Sequence, residues 1–286
     1  MIEIGSGTLS AVINPLGAEL THLRDAQGNE LMSDGDPAFW TGRAPLLFPI
    51  VGALDGDSYR LDGRDYPLPP HGFARRREFA LVDRAADRPW FRLSDDDETR
   101  AVYPFAFALD AEFVIAGSTL TTTITLVNRG DRAMPASFGF HPAFAWPLPY
   151  GGARKDHRIV FEHEEPQPLA RLEGKLIGPV DRETPVEGDT LWLRDDLFEQ
   201  DALVWITPES RSLRYGAPDG PQLVIGFPDM PTLAVWTKPG ARFICIEPWQ
   251  GHADPAGFTG EIWDKPGMLR LEPGERRAFT MSVTLA

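Results

Sequence analysis

The chain has 286 residues, enough to bury a large core without disulfide or metal staples. Its 42 acidic and 28 basic residues give a formal net charge of −14. That weighs against nucleic acid or an anionic membrane as a general partner, because phosphate binding needs a basic surface.

A single cysteine, Cys245, excludes an intrachain disulfide and fits a cytoplasmic location. The N-terminal MIEIGSGTLSAVINPLGAEL has no basic segment followed by an apolar one, so no signal peptide is expected. No run of apolar residues reaches the length of a membrane span.

In chain order, strand signals dominate. Leu9–Ile13 and Glu19–Arg24 alternate around the turn-prone Asn14-Pro15-Leu16-Gly17. Glu112–Ile115 and Leu120–Val127 are β-branched and predict a hairpin across Ala116-Gly117-Ser118; the run Thr121–Thr125 favours strand over helix. Pro147–Gly188, rich in Pro, Gly and charge, reads as a long excursion of loops and short strands away from the sheet. Leu203–Thr207, Leu223–Phe227, Thr232–Thr237 and Arg242–Glu247 read as further strands, the last two joined by a turn at Lys238-Pro239-Gly240-Ala241. Met268–Ala286 predicts a closing hairpin around Glu272-Pro273-Gly274-Glu275. No segment holds a 3.6-residue apolar period over three turns, so the expectation is an all-β sandwich or barrel, one domain over residues 1–286.

Phosphate-loop, dinucleotide, serine-hydrolase and zinc-protease motifs are missing from the sequence. Glu162-His163-Glu164-Glu165 has metal-ligand residue types, but extended neighbours point to opposite sides, so a solvated acidic loop is the reading.

Three segments carry candidate chemistry. Pro69-Pro70-His71-Gly72 is a stiff loop presenting an imidazole. Phe138-Gly139-Phe140-His141-Pro142 places a histidine among aromatics, with the following proline holding it extended at a strand end. Phe243-Ile244-Cys245-Ile246-Glu247 runs an apolar strand into a glutamate, and a carboxylate at the end of a buried strand is costly unless it is paired or used. Each has a plainer reading as well: an exposed turn, a satisfied core histidine, a solvated strand end.

Taken together, these segments resemble the aldose 1-epimerase (galactose mutarotase) superfamily, and within it the LacX-like branch. The matching stretches, in order, are Arg43-Ala44-Pro45-Leu46-Leu47-Phe48-Pro49-Ile50-Val51-Gly52, His71-Gly72-Phe73-Ala74-Arg75, Phe140-His141-Pro142 and Cys245-Ile246-Glu247-Pro248-Trp249. The resemblance implies a large β-sandwich of the galactose mutarotase-like supersandwich type, with no metal and no organic cofactor. It carries the family's catalytic pair onto His141 and Glu247 and its second histidine onto His71. It puts Arg43 and Arg75 in motifs that line the sugar pocket of the sugar-phosphate branch. A substrate-binding aspartate falls on Asp201, with Asp229 as competitor, and Trp249, Trp236 and Phe140 are candidates to stack on the sugar.

The implied activity is interconversion of the α and β anomers of a hexose, with Glu247 as base and His141 as acid, which two positioned proton carriers suffice to perform. An adjacent carboxylate would favour a protonated His141, and burial would oppose it. Two other readings stand beside this one. A hexose-6-phosphate 1-epimerase would use basic Arg75-Arg76-Arg77, although extended neighbours cannot all reach one pocket. A non-catalytic carbohydrate-binding protein would use the same fold without turnover. The expected ligand is therefore a small sugar, an aldohexose or its 6-phosphate, and the expected assembly a monomer or homodimer.

Overall fold

The structure is a computed structural model describing residues 1–85 and 88–286. Alternating segments become strands because one side of each is apolar enough to need cover. In Thr119–Asn128 every second residue, from Leu120 to Asn128, is buried. That strand pairs with Phe107–Ala116 across the Gly117-Ser118 turn, as its sequence predicts, and on its other edge with Arg276–Leu285.

Among the described residues these three belong to a nine-stranded sheet. Its order is Thr190–Trp192, Arg158–Phe161, Ser212–Gly216, Leu223–Gly226, Arg276–Leu285, Thr119–Asn128, Phe107–Ala116, Arg88–Ser94 and Ala80–Ala85, all antiparallel.

An eight-stranded sheet packs against it. The order is Leu176–Arg182, Leu169–Glu173, Leu203–Trp205, Thr232–Trp236, Phe243–Gln250, Phe138–Phe140 and Leu46–Leu47, with Ala143–Ala145 pairing separately with Phe243–Gln250. The two sheets meet through large rings. Phe138 stacks on Phe279 at 5.1 Å between centroids, Phe161 lies against Trp205 at 5.4 Å, and Phe144 against Tyr215 at 6.4 Å. Smaller antiparallel pieces surround the sandwich: Ile2–Gly5 with Leu9–Asn14 and Glu19–Asp25, and Ser58–Leu61 with Arg64–Pro67. The one α-helix among the described residues, Asp97–Val102, is capped by Asp96, whose side chain accepts from Thr99 N–H.

The structure corrects three expectations. The two C-terminal strands do not pair with each other: the Glu272–Glu275 turn forms, but Leu269–Leu271 pairs with Met134–Ala136 instead. The 147–188 stretch is no excursion away from the sheets, because it supplies Arg158–Phe161 to one of them and the hairpin of Leu169–Glu173 and Leu176–Arg182 to the other. Glu165 is not solvated; it is fully buried, and its carboxylate accepts the backbone N–H groups of Glu209 and Ser210 at 3.0 and 2.7 Å.

Candidate active site

Period-two alternation divides the eight-stranded sheet into two working faces. Leu233, Val235, Ile244 and Ile246 face the nine-stranded sheet as part of the main core. Their neighbours Ala234, Cys245, Glu247 and Trp249 belong to the opposite face, with Leu47, Val51, Ala170 and Val204. A cavity of about 290 Å³ opens on that second face. This is near the lower end of the roughly 300–1,000 Å³ usual for small-molecule sites.

Glu247 does not end its strand, as its sequence suggests. The strand runs from Phe243 through Pro248 to Gln250. A proline inside a central strand forfeits a ladder donor. Here the partner edge is itself interrupted: Phe138–Phe140 pairs with Trp249 and Gln250, Ala143–Ala145 pairs with Phe243 to Cys245, and the gap between them is filled by His141-Pro142. Ile246 N–H donates to Pro142 C=O across the gap at 3.2 Å. The interruption turns His141 toward Glu247, bringing Nε2 to 3.1 Å from Oε2. On the other edge the residue opposite Glu247 is Ala234, small enough to leave the carboxyl room.

The pair is almost completely buried, with Glu247 2% and His141 8% exposed. Glu247 Oε2 and His141 Nδ1 have no aligned hydrogen-bond partner. Burial, reinforced by the negative charge of Asp201, pushes the Glu247 carboxyl well above the usual carboxylate range. The Trp249 indole N–H opposes this in part, although Nε1 is not aligned well enough to satisfy it. Burial, then His71 and Arg75, hold His141 well below the ordinary histidine range. Burial thus shifts the two groups in opposite directions, each toward its uncharged form.

His71 sits in left-handed backbone (φ 65°) with Gly72 following at φ 68°. A Cβ on Gly72 would lie 2.2 Å from Phe48 O, so only glycine fits there. Gly52 N–H donates to His71 Nδ1 at 3.2 Å, which leaves Nε2 to carry the ring hydrogen. Burial and the cations Arg75 and Arg76 push His71 down to about 3, so it is a neutral donor. Its ring meets that of His141 edge-on at 5.8 Å.

Arg75 lines the same cavity; its guanidinium donates to Pro70 C=O at 2.9 Å, and Nε is buried without a partner. Residues 74–76 form a 3₁₀ turn, not the extended run assumed from sequence, and this is what separates the three arginines. Arg76 is exposed, and Arg77 pairs with Glu98 and Asp96 at the surface.

Asp201 and Trp249 also line the cavity, Asp201 from left-handed backbone (φ 72°). Asp229 does not line it, and neither does Phe140, which faces the core. Trp236 lines the wall. Arg43 is the residue the structure does not bring to the cavity. Its guanidinium is committed to the backbone carbonyls of Thr21, Ser33 and Asp34, holding together the segment before the site, so its expected place in the sugar pocket is corrected.

Among the lining residues that the sequence reading did not single out are Trp40 and Lys175. Trp40 lies 4.8 Å from the His141 ring and edge-on to Trp236 at 5.7 Å, but its segment carries no strand pattern that would have marked it. Lys175 reaches the cavity from the Gly174-Lys175 tip of a hairpin. The only available signal was a Gly-containing turn between two apolar stretches.

A two-sheet antiparallel sandwich with a buried imidazole–carboxyl pair at the base of a tryptophan-walled cavity is, as a whole fold, similar to two solved proteins. A galactose mutarotase-like protein from Lactobacillus casei ATCC 334 superposes with a TM-score of 0.92 at 29% identity over 100% of both chains. A galactose mutarotase related enzyme from Lactobacillus acidophilus gives 0.92 at 29%, covering 99% of this chain and 96% of that one. The chain belongs to the aldose 1-epimerase family, whose sequence profile matches residues 1–284. Among curated relatives, the plasmid-borne protein LacX of Lactococcus lactis subsp. lactis is 30% identical over 295 aligned positions, 99% of each chain. No helix among the described residues is long and apolar enough to cross a membrane.

Proposed function

We propose that the protein is an aldose 1-epimerase, acting as one catalytic domain over residues 1–286, that interconverts the anomers of a hexose by acid–base ring opening. The observation that carries this reading is the buried pair His141–Glu247, 3.1 Å apart at the base of the cavity.

The reaction needs one proton taken and one given. Glu247, as carboxylate, takes the proton of the C1 hydroxyl while His141, as imidazolium, gives one to the ring oxygen. The bond from C1 to the ring oxygen breaks and C1 becomes an aldehyde. Rotation about C1–C2 presents the other face, and the same two proton transfers in reverse close the ring. The pair carries one proton throughout this cycle. The reactive form is the carboxylate beside the imidazolium, and burial of both groups opposes that form.

The neutral His71 donates Nε2–H to the ring oxygen or its neighbouring hydroxyl. Asp201 accepts from a sugar hydroxyl, and Trp40, Trp236 and Trp249 pack against the C–H faces of the pyranose.

Polarimetry tests this. The purified protein is expected to accelerate the decay of optical rotation of fresh α-D-glucose or α-D-galactose, and Glu247→Gln to lose roughly 10²- to 10⁴-fold. Near-normal turnover in that variant removes Glu247 from the mechanism.

A second reading is favoured by the two cations at the cavity: Arg75, with its buried unpartnered Nε, and Lys175. In a chain of net charge −14 they suit an anionic substituent, which makes a hexose 6-phosphate the alternative substrate. Faster anomer exchange for glucose 6-phosphate than for glucose, reversed in Arg75→Gln, decides for it.

A further inference from the structure

Cys245 lies one pleat before Glu247 on the same face of the same strand, and its register partner across the sheet is Trp236, which lines the cavity. The mechanism makes no use of it. Yet a nitrogen of His141, the sulfur of Cys245 and a carboxylate oxygen of Glu247 all lie within 4.8 Å of one another, and all three residues are buried.

The geometry points to a binding site for a thiophilic divalent cation, Zn²⁺ in the first place, on His141, Cys245 and Glu247. Zinc takes imidazole, thiolate and carboxylate at about 2.0–2.3 Å, so a tetrahedral site has ligand–ligand edges of roughly 3.3–3.8 Å. The His141–Glu247 edge, at 3.1 Å, is already near that length. The remaining contraction of about 1 Å is within reach of side-chain rotation at Cys245 and Glu247.

Three further facts favour the site. Glu247 Oε2, 2% exposed in residue terms, has no hydrogen-bond partner to give up. The charges balance: one thiolate and one carboxylate against a dication, with a neutral imidazole, bury no net charge, whereas either anion alone would. Two of the three ligands, His141 and Glu247, line the cavity, from which water can complete the coordination. As the metal–sulfur bond forms, the thiol proton leaves to solvent, and any carboxyl proton with it.

Such an ion occupies both proton carriers. It acts as an inhibitor, not a cofactor, and excess sugar protects against it. The site itself stands on geometry; only the inhibition rests on the proposed reaction.

Because Cys245 is the only cysteine, a sulfur-to-metal signal has one source. The full-length protein is titrated with Co²⁺ and then Zn²⁺. A thiolate-to-cobalt charge-transfer band that Zn²⁺ abolishes is expected, absent in Cys245→Ser and Cys245→Ala, whose folding is checked by melting curves. Zinc affinity should fall at least about tenfold in those variants, and likewise in Glu247→Gln, which reads the same site if neither cysteine variant folds. Where the wild type turns over sugar, Zn²⁺ should inhibit it and the cysteine variants should escape. If turnover is absent, the band still decides whether the metal site exists. No thiolate band at saturating Co²⁺, or zinc affinity within twofold of wild type in the variants, overturns the proposal.

Discussion

At the scale of single residues, burial governs the site. Burial raises Glu247 and lowers His141, so neither group is held at its free value. The rate is expected to follow a bell whose two limbs are displaced from the free values, about 4.3 for glutamate and about 6.5 for histidine. Limbs at about 4.3 and about 6.5 would show that the pair titrates as ordinary groups.

The same shift has a consequence for stability. A carboxyl raised in the folded state contributes stability that is present below its unfolded value and lost as pH climbs toward the folded one. Glu247→Gln removes that loss, so its melting temperature should match or exceed that of wild type at pH 8, with the gap closing as pH falls toward 4. A variant that melts lower at pH 8 would mean that the carboxylate contributes more to packing than its desolvation costs.

Much at this scale was legible in the sequence. His71, His141, Glu247, Arg75, Asp201 and Trp249 all reach one cavity, because each stands beside a local constraint that aims it: a proline, a left-handed turn or a strand pleat. Arg43 was misplaced because residue type cannot tell a guanidinium that meets a ligand from one that meets backbone carbonyls. Trp40 was missed because its loop acquires meaning only once Trp236 and His141 are beside it.

At the scale of elements, segments remote in sequence hold the site. Lys265 and Asp254 form a buried pair at 2.6 Å, 3% exposed each. The other Asp254 carboxylate oxygen accepts Asp55 N–H at 2.9 Å. Asp254 N–H donates to Ala53 C=O, and Asp254 C=O accepts from Ile177 N–H. One residue thus ties the 52–55 loop, which carries the Gly52 donor to His71, to the hairpin that carries Lys175. Lys265→Met leaves a buried carboxylate unpaired and should cost about 3–5 kcal/mol in chemical denaturation. A loss below 1 kcal/mol would mean that water reaches Asp254.

Strand existence was legible here, and so were the partners joined by short turns, but the partners of strands remote in sequence were not. The turn at 272–275 is written in Pro and Gly, but whether its arms pair with each other depends on which edges the remaining chain leaves free. The strand read from sequence as Arg242–Glu247 in fact continues through Pro248 to Gln250. A proline normally ends a central strand, and only the gap at His141-Pro142 makes it tolerable.

At the scale of the molecule, two stacked sheets separate stability from chemistry by face. The inner face of the eight-stranded sheet is filled with rings against its partner sheet, while its outer face is free to carry polar groups. The all-β class was legible because alternation and turn residues recur along the whole chain. The division of the strands between two sheets was not, since alternation names a buried side without saying what buries it.

The strand Phe243–Gln250 carries core residues and site residues in strict alternation. Deleting one residue between Phe243 and Ile246 would shift the register and send Glu247 into the apolar interior, with Ile246 thrown out into the cavity. Lengthening the Gly174-Lys175 tip by a residue changes only the rim. Tolerance to insertion and deletion should therefore differ sharply between two segments that border the same cavity. New ligand preferences have a route through hairpin length, whereas the reacting strand is closed to any change in its count.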